Sequence, residues 1–252
     1  MAPGGRTLFN QSVMVRSFVR IDYFATGPNG ESVRRIVNPY AFVWGAYPNL
    51  SLSFVAPLVS VRRDGPAMPS SVTKTDFGDG RVFARYDLFR KNVPGGFTRL
   101  SPEVGIQIPT GTAFSTGSAA PIASLVFSHV RDPHWLVADV QFTYSTTNSD
   151  GFRPGNRWRY DVTYMRRLAD LEAPTIYLVL EMNGEHARRS RLNGGAVEAS
   201  GGNLVFLSPG VEMFLTRRLV LEFSLPVPAG RDLNGNQLKP RVSVIGGFRW
   251  LF

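Results

Sequence analysis

Short stretches in which apolar and polar residues alternate recur about twelve times along the chain, and this period of two is typical of a β-strand with one apolar face. No stretch reaches the ~20 apolar residues of a membrane-spanning helix. No long apolar pattern with the helical spacing of 3.6 residues and caps at both ends occurs either. The alternation therefore predicts an all-β chain.

The predicted strands are about 9–14 residues long, close to the ~9–11 residues with which a tilted strand crosses the hydrocarbon layer. Their ranges are 12–25, 34–45, 50–61, 80–90, 97–109, 120–130, 135–146, 157–166, 174–183, 203–214, 218–228 and 241–252. This pattern predicts one closed antiparallel transmembrane β-barrel of about 12 strands over residues 1–252, with 1–11 as a short periplasmic N-terminal segment.

The connections predict the two rims of this barrel. If both termini are periplasmic, the periplasmic turns are 46–49, 91–96, 131–134, 167–173 and 215–217. The extracellular loops are then 26–33, 62–79, 110–119, 147–156, 184–202 and 229–240. Short turns on one rim and longer loops on the other are typical of outer-membrane barrels.

The two faces of the predicted strands differ in polarity. Trp158, Tyr160 and Val162 alternate with Arg159 and Asp161, so one face suits hydrocarbon and the other tolerates charge. The alternative is a soluble sandwich that buries its apolar faces in a core. Tryptophans near the strand ends favour a membrane, as interfacial belts: Trp44, Trp135 and Trp250 near the inner rim, and Trp158 near the outer one. The pattern leaves the faces of Phe42 and His129 open.

Charge and cysteine content exclude several classes of protein. The net charge is +9, and it comes almost entirely from arginines that stand singly or in doublets. Without a basic block interleaved with aromatic residues, we expect no nucleic-acid partner. Anionic lipid phosphates, including those of lipopolysaccharide, and an anionic solute are the expected partners. The absence of cysteine excludes disulfides and thiolate metal sites.

The first residues contain neither a basic region nor an apolar core of the kind found in secretory signals. Location in the bacterial outer membrane requires such a signal, so we expect that one has been removed from this chain. The alternative is a protein that is not exported.

An Arg-X-Asp pattern occurs three times, in Arg20–Asp22, Arg85–Asp87 and Arg159–Asp161. Residues i and i+2 share a strand face, and an arginine in the lipid midplane of a barrel costs ~2–4 kcal/mol, so these pairs should face the lumen. The candidate pore-lining residues are Arg16, Arg20, Asp22, Arg85, Asp87, Arg99, Glu103, Asp139, Arg159, Asp161, Glu181, Glu212, Glu222 and Arg249, with Gln141 beside them. They predict either a polar pore or a plug of salt bridges that fills a narrow barrel.

An enzymatic function has little support in the sequence. A hydrolase needs a histidine that activates a serine and a third group that orients the imidazole. The three histidines are His129 and His134 at one hairpin and His186 in a predicted loop, and none has an evident strand-borne serine partner. We therefore predict no catalytic residues, no metal site and no cofactor.

Two loops stand apart in composition. Residues 184–202 hold Glu185, Arg188, Arg189, Arg191 and Glu198 among several glycines. This loop either folds into the mouth and narrows it or forms a mobile surface loop. The loop 62–79, which contains two prolines, could likewise fold into the mouth or form a mobile surface loop.

The chain ends in Phe248-Arg249-Trp250-Leu251-Phe252, with aromatic residues at the last, third-last and fifth-last positions. Phe248, Trp250 and Phe252 share a strand face that would meet lipid, and this ending resembles the signal that the barrel-assembly machinery reads on a final strand. The assembly machinery is therefore an expected partner.

Several short motifs resemble the outer-membrane transporter family associated with the meta-pathway of phenol degradation. They are Tyr47-Pro48-Asn49-Leu50-Ser51-Leu52-Ser53, Phe77-Gly78-Asp79-Gly80, Gly105-Ile106-Gln107-Ile108-Pro109-Thr110-Gly111, Leu207-Ser208-Pro209-Gly210 and Asp232-Leu233-Asn234-Gly235. The resemblance covers about residues 40–252 and implies a channel or transporter for small solutes, with aromatic or hydrophobic compounds as the implied cargo. The alternatives are a structural barrel that anchors an envelope protein partner and, less supported, a lipid hydrolase.

Overall fold

The computed structural model describes residues 11–25, 30–66, 70–168 and 174–252. Within these ranges no helix has the length and apolar character needed to cross a membrane. The predicted periplasmic segment 1–11 lies almost wholly outside the described residues. Parts of the predicted connections 26–33, 62–79 and 167–173 also lie outside them.

β-Strands are the only regular secondary structure among the described residues. In chain order they are β1 (Val13–Phe24), β2 (Ser32–Tyr47), β3 (Leu50–Asp64), β4 (Val72–Phe77), β5 (Gly80–Tyr86), β6 (Phe89–Val93), β7 (Gly96–Ile108), β8 (Ala120–Arg131), β9 (His134–Thr143), β10 (Phe152–Arg153), β11 (Arg157–Arg167), β12 (Thr175–Ala187), β13 (Arg191–Leu192), β14 (Gly195–Ala196), β15 (Gly202–Phe214), β16 (Leu219–Ser224), β17 (Val227–Leu233) and β18 (Pro240–Leu251).

The long strands form a closed antiparallel barrel of twelve strands, as the sequence predicts. β4, β5 and β6 follow one another as the fourth barrel strand, and β16 and β17 form the eleventh. The ring closes because β1 pairs with β18, from Met14–Leu251 to Phe24–Pro240. Closure leaves no barrel edge whose backbone groups would be unpaired in lipid. The short strands β10, β13 and β14 form a separate small sheet.

The breaks in the fourth and eleventh barrel strands lie beside prolines of neighbouring strands. Proline has no N–H group to donate to the ladder, so pairing fails at that point and the strand opposite bulges. Pro57 lies at the break between β4 and β5, and Pro102 at the break between β5 and β6. Pro209 lies at the break between β16 and β17.

The connections divide between two rims. One, which we call the terminal rim, holds connections 48–49, 94–95, 132–133, 168–174 and 215–218, together with the C-terminus. The other, the loop rim, holds 25–31, 65–71, 109–119, 144–156, 188–201 and 234–239. Some predicted boundaries were wrong. The fourth barrel strand begins at Val72 rather than at residue 80, and β12 runs to Ala187, so Glu185 and His186 belong to a strand.

The outward face of the barrel is apolar and open to its surroundings. Val104 is 62% exposed and Leu180 52% exposed, and Trp44, Trp158 and Trp250 are also exposed. Contiguous apolar surface of this extent is unusual for a soluble protein and suits contact with lipid. Phe42 and His129, whose faces the sequence left open, both point outward with this set.

Candidate functional site

The strand register places all fourteen predicted lining residues on the inner face of the barrel. The residues that pair directly across neighbouring strands share a face, and this parity can be followed around the ring. The inner-face set is Arg16, Arg20, Asp22, Arg85, Asp87, Arg99, Glu103, Asp139, Arg159, Asp161, Glu181, Glu212, Glu222 and Arg249. The structure groups most of them into three charge networks.

The first network joins β1, β15, β16 and β18. Arg16 donates to Glu222 over 2.7 Å, and Arg249 forms ion pairs with both Glu222 and Glu212. The side chain of Glu222 is 0% exposed. Its charge is compensated by the two guanidinium groups, as a buried carboxylate requires. This part of the interior is therefore closed by side chains.

The second network joins the fourth barrel strand to β7. Arg85 contacts Glu103 over 2.8 Å, and Arg99 contacts Asp87 over 3.3 Å. Asp87 also accepts a hydrogen bond from the Ser101 hydroxyl. All four charged side chains are buried. The network fills the lumen on this side rather than lining an open path.

The third network surrounds Asp22 toward the loop rim. Arg20 and Arg35 contact its two carboxylate oxygens over 2.6 and 2.7 Å, and the Ser243 hydroxyl donates to it. Both guanidinium groups are partly exposed, in contrast to the first two networks. Arg35 was missed by sequence reasoning, because it belongs to the strand whose two faces both look apolar.

The Arg-X-Asp pattern forms an ion pair within the motif at Arg20–Asp22. Arg85 and Asp87 each pair with a residue of β7 instead, as described above. Arg159 contacts Glu185 over 3.7 Å, while Asp161 accepts a hydrogen bond from the Asn183 amide. Residues i and i+2 of one strand are about 7 Å apart, whereas directly opposed residues of neighbouring strands are closer. Each charged side chain can therefore pair with a residue of the neighbouring strand instead of with the other member of its motif.

Asp161 lies directly opposite Asp139 on β9, so two carboxylates of like charge face each other. Asp139 is buried, and among the described residues its Oδ1 atom has no hydrogen-bond partner. Cross-strand pairs of like charge are unfavourable. Glu212 and Glu222 also face each other, but Arg249 contacts both, whereas Asp139 and Asp161 form no ion pair with any described residue.

The inner face of β8 and β9 is packed with side chains. Val126 is 1% exposed, and Ile122, Val130, Val137 and Ser128 are also buried. Together with the second network, they close the lumen along β7, β8 and β9.

The inner face of β2 and β3 differs, because it is apolar and remains half-exposed. It consists of small side chains that pair across the two strands, and we call it the apolar wall: Val37, Pro39, Ala41, Val43, Val55, Pro57, Val59 and Val61. β2 and β3 therefore line the interior with a continuous aliphatic surface that is partly exposed.

The sequence did not reveal the apolar wall. Its residues alternate with Asn38, Tyr40, Phe42 and Trp44, so both faces of β2 read as largely apolar. Only the register with β1, in which Arg16 pairs with Ala41, assigns the aliphatic set to the interior.

Half-exposed arginines mark the loop-rim half of the interior. The side chain of Arg159 is 44% exposed although it points inward. Arg81, which pairs with Val55 of the apolar wall and with Gln107, was also missed as an inner-face residue. The pairing of Arg81 with Val55 thus places an arginine beside the apolar wall.

An aromatic cluster lies inside the barrel at the terminal rim. Trp135 packs against Tyr177 at a ring distance of 5.5 Å and against Phe214 at 6.4 Å. Trp135 pairs with Val130 and Met165, which are both buried inner-face residues. Its assignment to an interfacial belt was therefore wrong, because the strand parity directs it inward. Trp44, Trp158 and Trp250 do point outward.

The three histidines each contact a neighbouring side chain. His129 lies 2.9 Å from the Thr98 hydroxyl, His134 2.6 Å from the Tyr164 hydroxyl and His186 2.7 Å from Asn203. These contacts join adjacent strands on the outward face. Within the described ranges, no group of three metal-ligating residues is arranged to hold an ion.

The C-terminal aromatic residues lie on the outward face. Phe248 and Trp250 are exposed, and the Phe252 amide donates to the Val13 carbonyl at the start of β1. The three side chains form an exposed aromatic edge at the terminal rim.

No protein-family model matches the chain, and no curated protein matches it. An outer-membrane channel from Pseudomonas putida F1 has a similar structure, with a TM-score of 0.78, 14% identity and complete coverage of both chains. The β-domain of the Bordetella autotransporter Brka has a TM-score of 0.58 at 11% identity, covering 96% of this chain and 100% of that one. The transport unit of the autotransporter AIDA-I from Escherichia coli has a TM-score of 0.50 at 12% identity, covering 100% and 93%.

Membership of the phenol-degradation transporter family remains a prediction, since it rests on the short motifs. At these identities the structural likeness establishes the fold, which is that of a closed outer-membrane-type β-barrel.

Proposed function

We propose that this chain is an outer-membrane channel for small solutes that carry an apolar or aromatic part. The observation that supports this best is the half-exposed apolar wall of β2 and β3. A barrel that serves only as an anchor would gain stability by covering this wall with larger apolar side chains, at ~0.8 kcal/mol for each buried CH₂ group. The small valines, prolines and alanine of the wall instead stay partly exposed.

The solute path that this arrangement favours has two unlike sides. Ligand sites are mostly apolar, with a few polar groups that fix orientation. The apolar wall would contact the hydrocarbon part of a solute, while Arg81 and Arg159 would attract a polar or anionic group. The resemblance of the motifs to the phenol-degradation family is consistent with this cargo, and the similarity to the outer-membrane channel from Pseudomonas putida F1 is consistent with a channel.

The membrane context follows from the same proposal. The loop rim would face the cell exterior, the outward apolar face would contact outer-membrane lipid, and rim arginines would contact lipopolysaccharide. The C-terminal residues Phe248, Trp250 and Phe252 would be read by the barrel-assembly machinery, after export directed by a signal that is later removed.

Single-channel recording in planar bilayers tests the proposal. We expect discrete conductance steps that benzoate blocks more strongly than acetate, since the two carboxylates differ in the aromatic ring. Replacing the cross-strand pair Val37 and Val59 by asparagine should weaken the benzoate block about tenfold, because two apolar contacts are lost. Acetate block should not change.

Val93→Asn, at the exposed end of β6 on the terminal rim, is the control outside the proposed solute path and should behave as the unmodified protein. A folded barrel that stays electrically silent would contradict the channel and favour the anchoring barrel, a function that the two buried charge networks also fit. Equal benzoate block in the double variant would contradict the assigned solute path.

A further inference from the structure

Hydrogen bonds join four connections of the loop rim, 109–119, 144–156, 188–201 and 234–239, into a continuous belt. Thr146 donates to the Ala119 carbonyl over 2.5 Å, the Gly155 amide to the Ser190 hydroxyl over 3.2 Å, and the Asn234 amide to the Ser200 carbonyl over 3.1 Å. The small sheet of β10, β13 and β14 braces the middle of this belt. The arginine-rich connection 188–201 is thus held in place by its neighbours.

A cavity of about 550 Å³ lies within the belt, beside the ends of β11, β12, β15 and β17. Its lining includes Arg153, Arg188, Arg189 and Arg191, against Asp232 as the only acidic residue in the described lining. The cavity therefore has an excess of three positive charges. The residue that opposes them, Asp232, comes from a different strand.

Two of these arginines already have partners within the belt. Arg189 contacts Glu198 over 3.0 Å, and the Arg153 guanidinium donates to the Ser145 carbonyl over 2.8 Å while lying over the Tyr144 ring. In the described part of the chain, the guanidinium groups of Arg188 and Arg191 make neither a hydrogen bond nor an ion pair. Both are exposed. Each guanidinium group has five N–H donors, so the two arginines together have ten that remain available for a ligand.

Glycines allow the cavity walls to approach closely. A Cβ atom at Gly155 would collide with the Arg188 carbonyl oxygen, and one at Gly202 would collide with the Asp232 carbonyl oxygen. Gly202 also has a φ of +121°, a conformation that side chains rarely permit. The backbone geometry that brings the arginine-bearing segment against the barrel end therefore depends on these two positions.

We propose that this cavity binds a phosphate-type oxyanion. Several arginines of like charge in one cavity repel one another, and a multivalent anion removes that repulsion. The planar guanidinium group matches the paired oxygens of a phosphate and binds them through two parallel hydrogen bonds. The same chemistry is offered by the phosphates of a lipid headgroup in the outer leaflet and by a phosphorylated or pyrophosphate solute in the medium.

The inference goes beyond the proposed channel and does not depend on conduction. It requires only that the loop-rim belt is folded as described. Binding measurements on the purified barrel therefore test the anion site separately from the channel proposal, since either can fail without the other.

Calorimetric titration with inorganic pyrophosphate, using protein refolded in detergent free of lipopolysaccharide, tests the cavity. Replacing Arg188 and Arg191 by glutamine should weaken binding at least about tenfold, because two bidentate partners are lost. The matched control, in which Arg217 and Arg218 of the opposite rim become glutamine, should bind as the unmodified protein does. Sodium sulfate should compete.

Native mass spectrometry with purified lipid A identifies the source of the anion. Retention of lipid A that the Arg188/Arg191 variant loses supports the lipid headgroup, and pyrophosphate binding without lipid A retention supports a free solute. If neither ligand binds the unmodified barrel, or if the glutamine variant binds both equally well, the proposal is wrong. Heat-modified migration on gels checks folding, and R188K with R191K supplies a charge-retaining variant if the neutral one does not fold.

Discussion

The charged residues of the interior fall into buried pairs and partly exposed ones, and the two kinds should respond differently to neutralisation. Glu222 is enclosed between Arg16 and Arg249 and has no exposure. Asp161 is half-buried, hydrogen-bonded to Asn183 and set opposite Asp139. Its neighbour on the same strand face, Arg159, contacts Glu185 across the strands instead.

Glu222→Gln should lower the free energy of unfolding by ~3–5 kcal/mol, because it leaves two buried guanidinium groups short of their carboxylate. Asp161→Asn should change it by only ~0–1 kcal/mol, because a hydrated carboxylate facing another carboxylate contributes little. Urea unfolding in detergent micelles, followed by tryptophan fluorescence, measures both.

The paired design also has a clear contrary outcome. Equal, small effects in both variants would mean that water reaches Glu222 and that the first charge network is not a plug. Equal, large effects would mean that the lumen around Asp161 is closed as well.

At the level of single strands, alternation decides which residues meet lipid. Leu180 lies on the outward face near the middle of β12, and its neighbours Leu178 and Met182 share that face. Ser53 lies on the inner face of β3, where it pairs with Val43 and Phe83 and is partly exposed. The same substitution at these two sites therefore tests the assignment of faces.

Leu180→Arg should destabilise the barrel in lipid by ~2–4 kcal/mol, because the charge is placed in hydrocarbon. Ser53→Arg should have an effect of ~0–1 kcal/mol, since its guanidinium can reach lumen water. Unfolding midpoints in lipid bilayers measure the difference. If Ser53→Arg destabilised the barrel more than Leu180→Arg, the assignment of inner and outer faces would be wrong.

Prolines explain why strand boundaries were harder to predict than strand number. The breaks at Pro57, Pro102 and Pro209 arise in the strand that pairs with the proline, not in the strand that contains it. A local pattern contains no information about the partner strand. The fourth barrel strand was therefore predicted too short, and the eleventh ended too early.

For the whole molecule, closure depends on the last strand. β18 pairs along nearly its full length with β1, and it ends in the outward aromatic residues Phe248, Trp250 and Phe252. Because these side chains are exposed on the outward face, we expect them to act mainly during assembly.

Replacing Trp250 and Phe252 by alanine should therefore reduce the amount of barrel in the outer membrane several-fold while leaving refolding in detergent nearly unchanged. Heat-modified gel migration of membrane fractions and of refolded protein measures the two quantities. Leu219→Ala, which alters the strand-pair neighbour of Trp250, is the control. Equal losses in cells and in detergent would assign these residues to stability rather than to assembly.

The sequence alone determined the all-β class, the twelve barrel strands and the inner position of the fourteen charged residues. It could do so because alternation is a local property, and a misplaced charge in lipid costs several kcal/mol. The inner assignment of Trp135 and the outer assignment of Phe42 and His129 needed the register, since apolar residues are acceptable on either face.

Only the tertiary structure decided how the interior is occupied. Which arginine meets which carboxylate depends on strand neighbours far apart in the chain, such as Arg16 and Glu222. The apolar wall and the arginine-lined cavity of the loop rim likewise arise from segments that closure brings together. A charged residue in a barrel strand indicates its own face, because lipid excludes charge, but its partners depend on which strands closure makes neighbours.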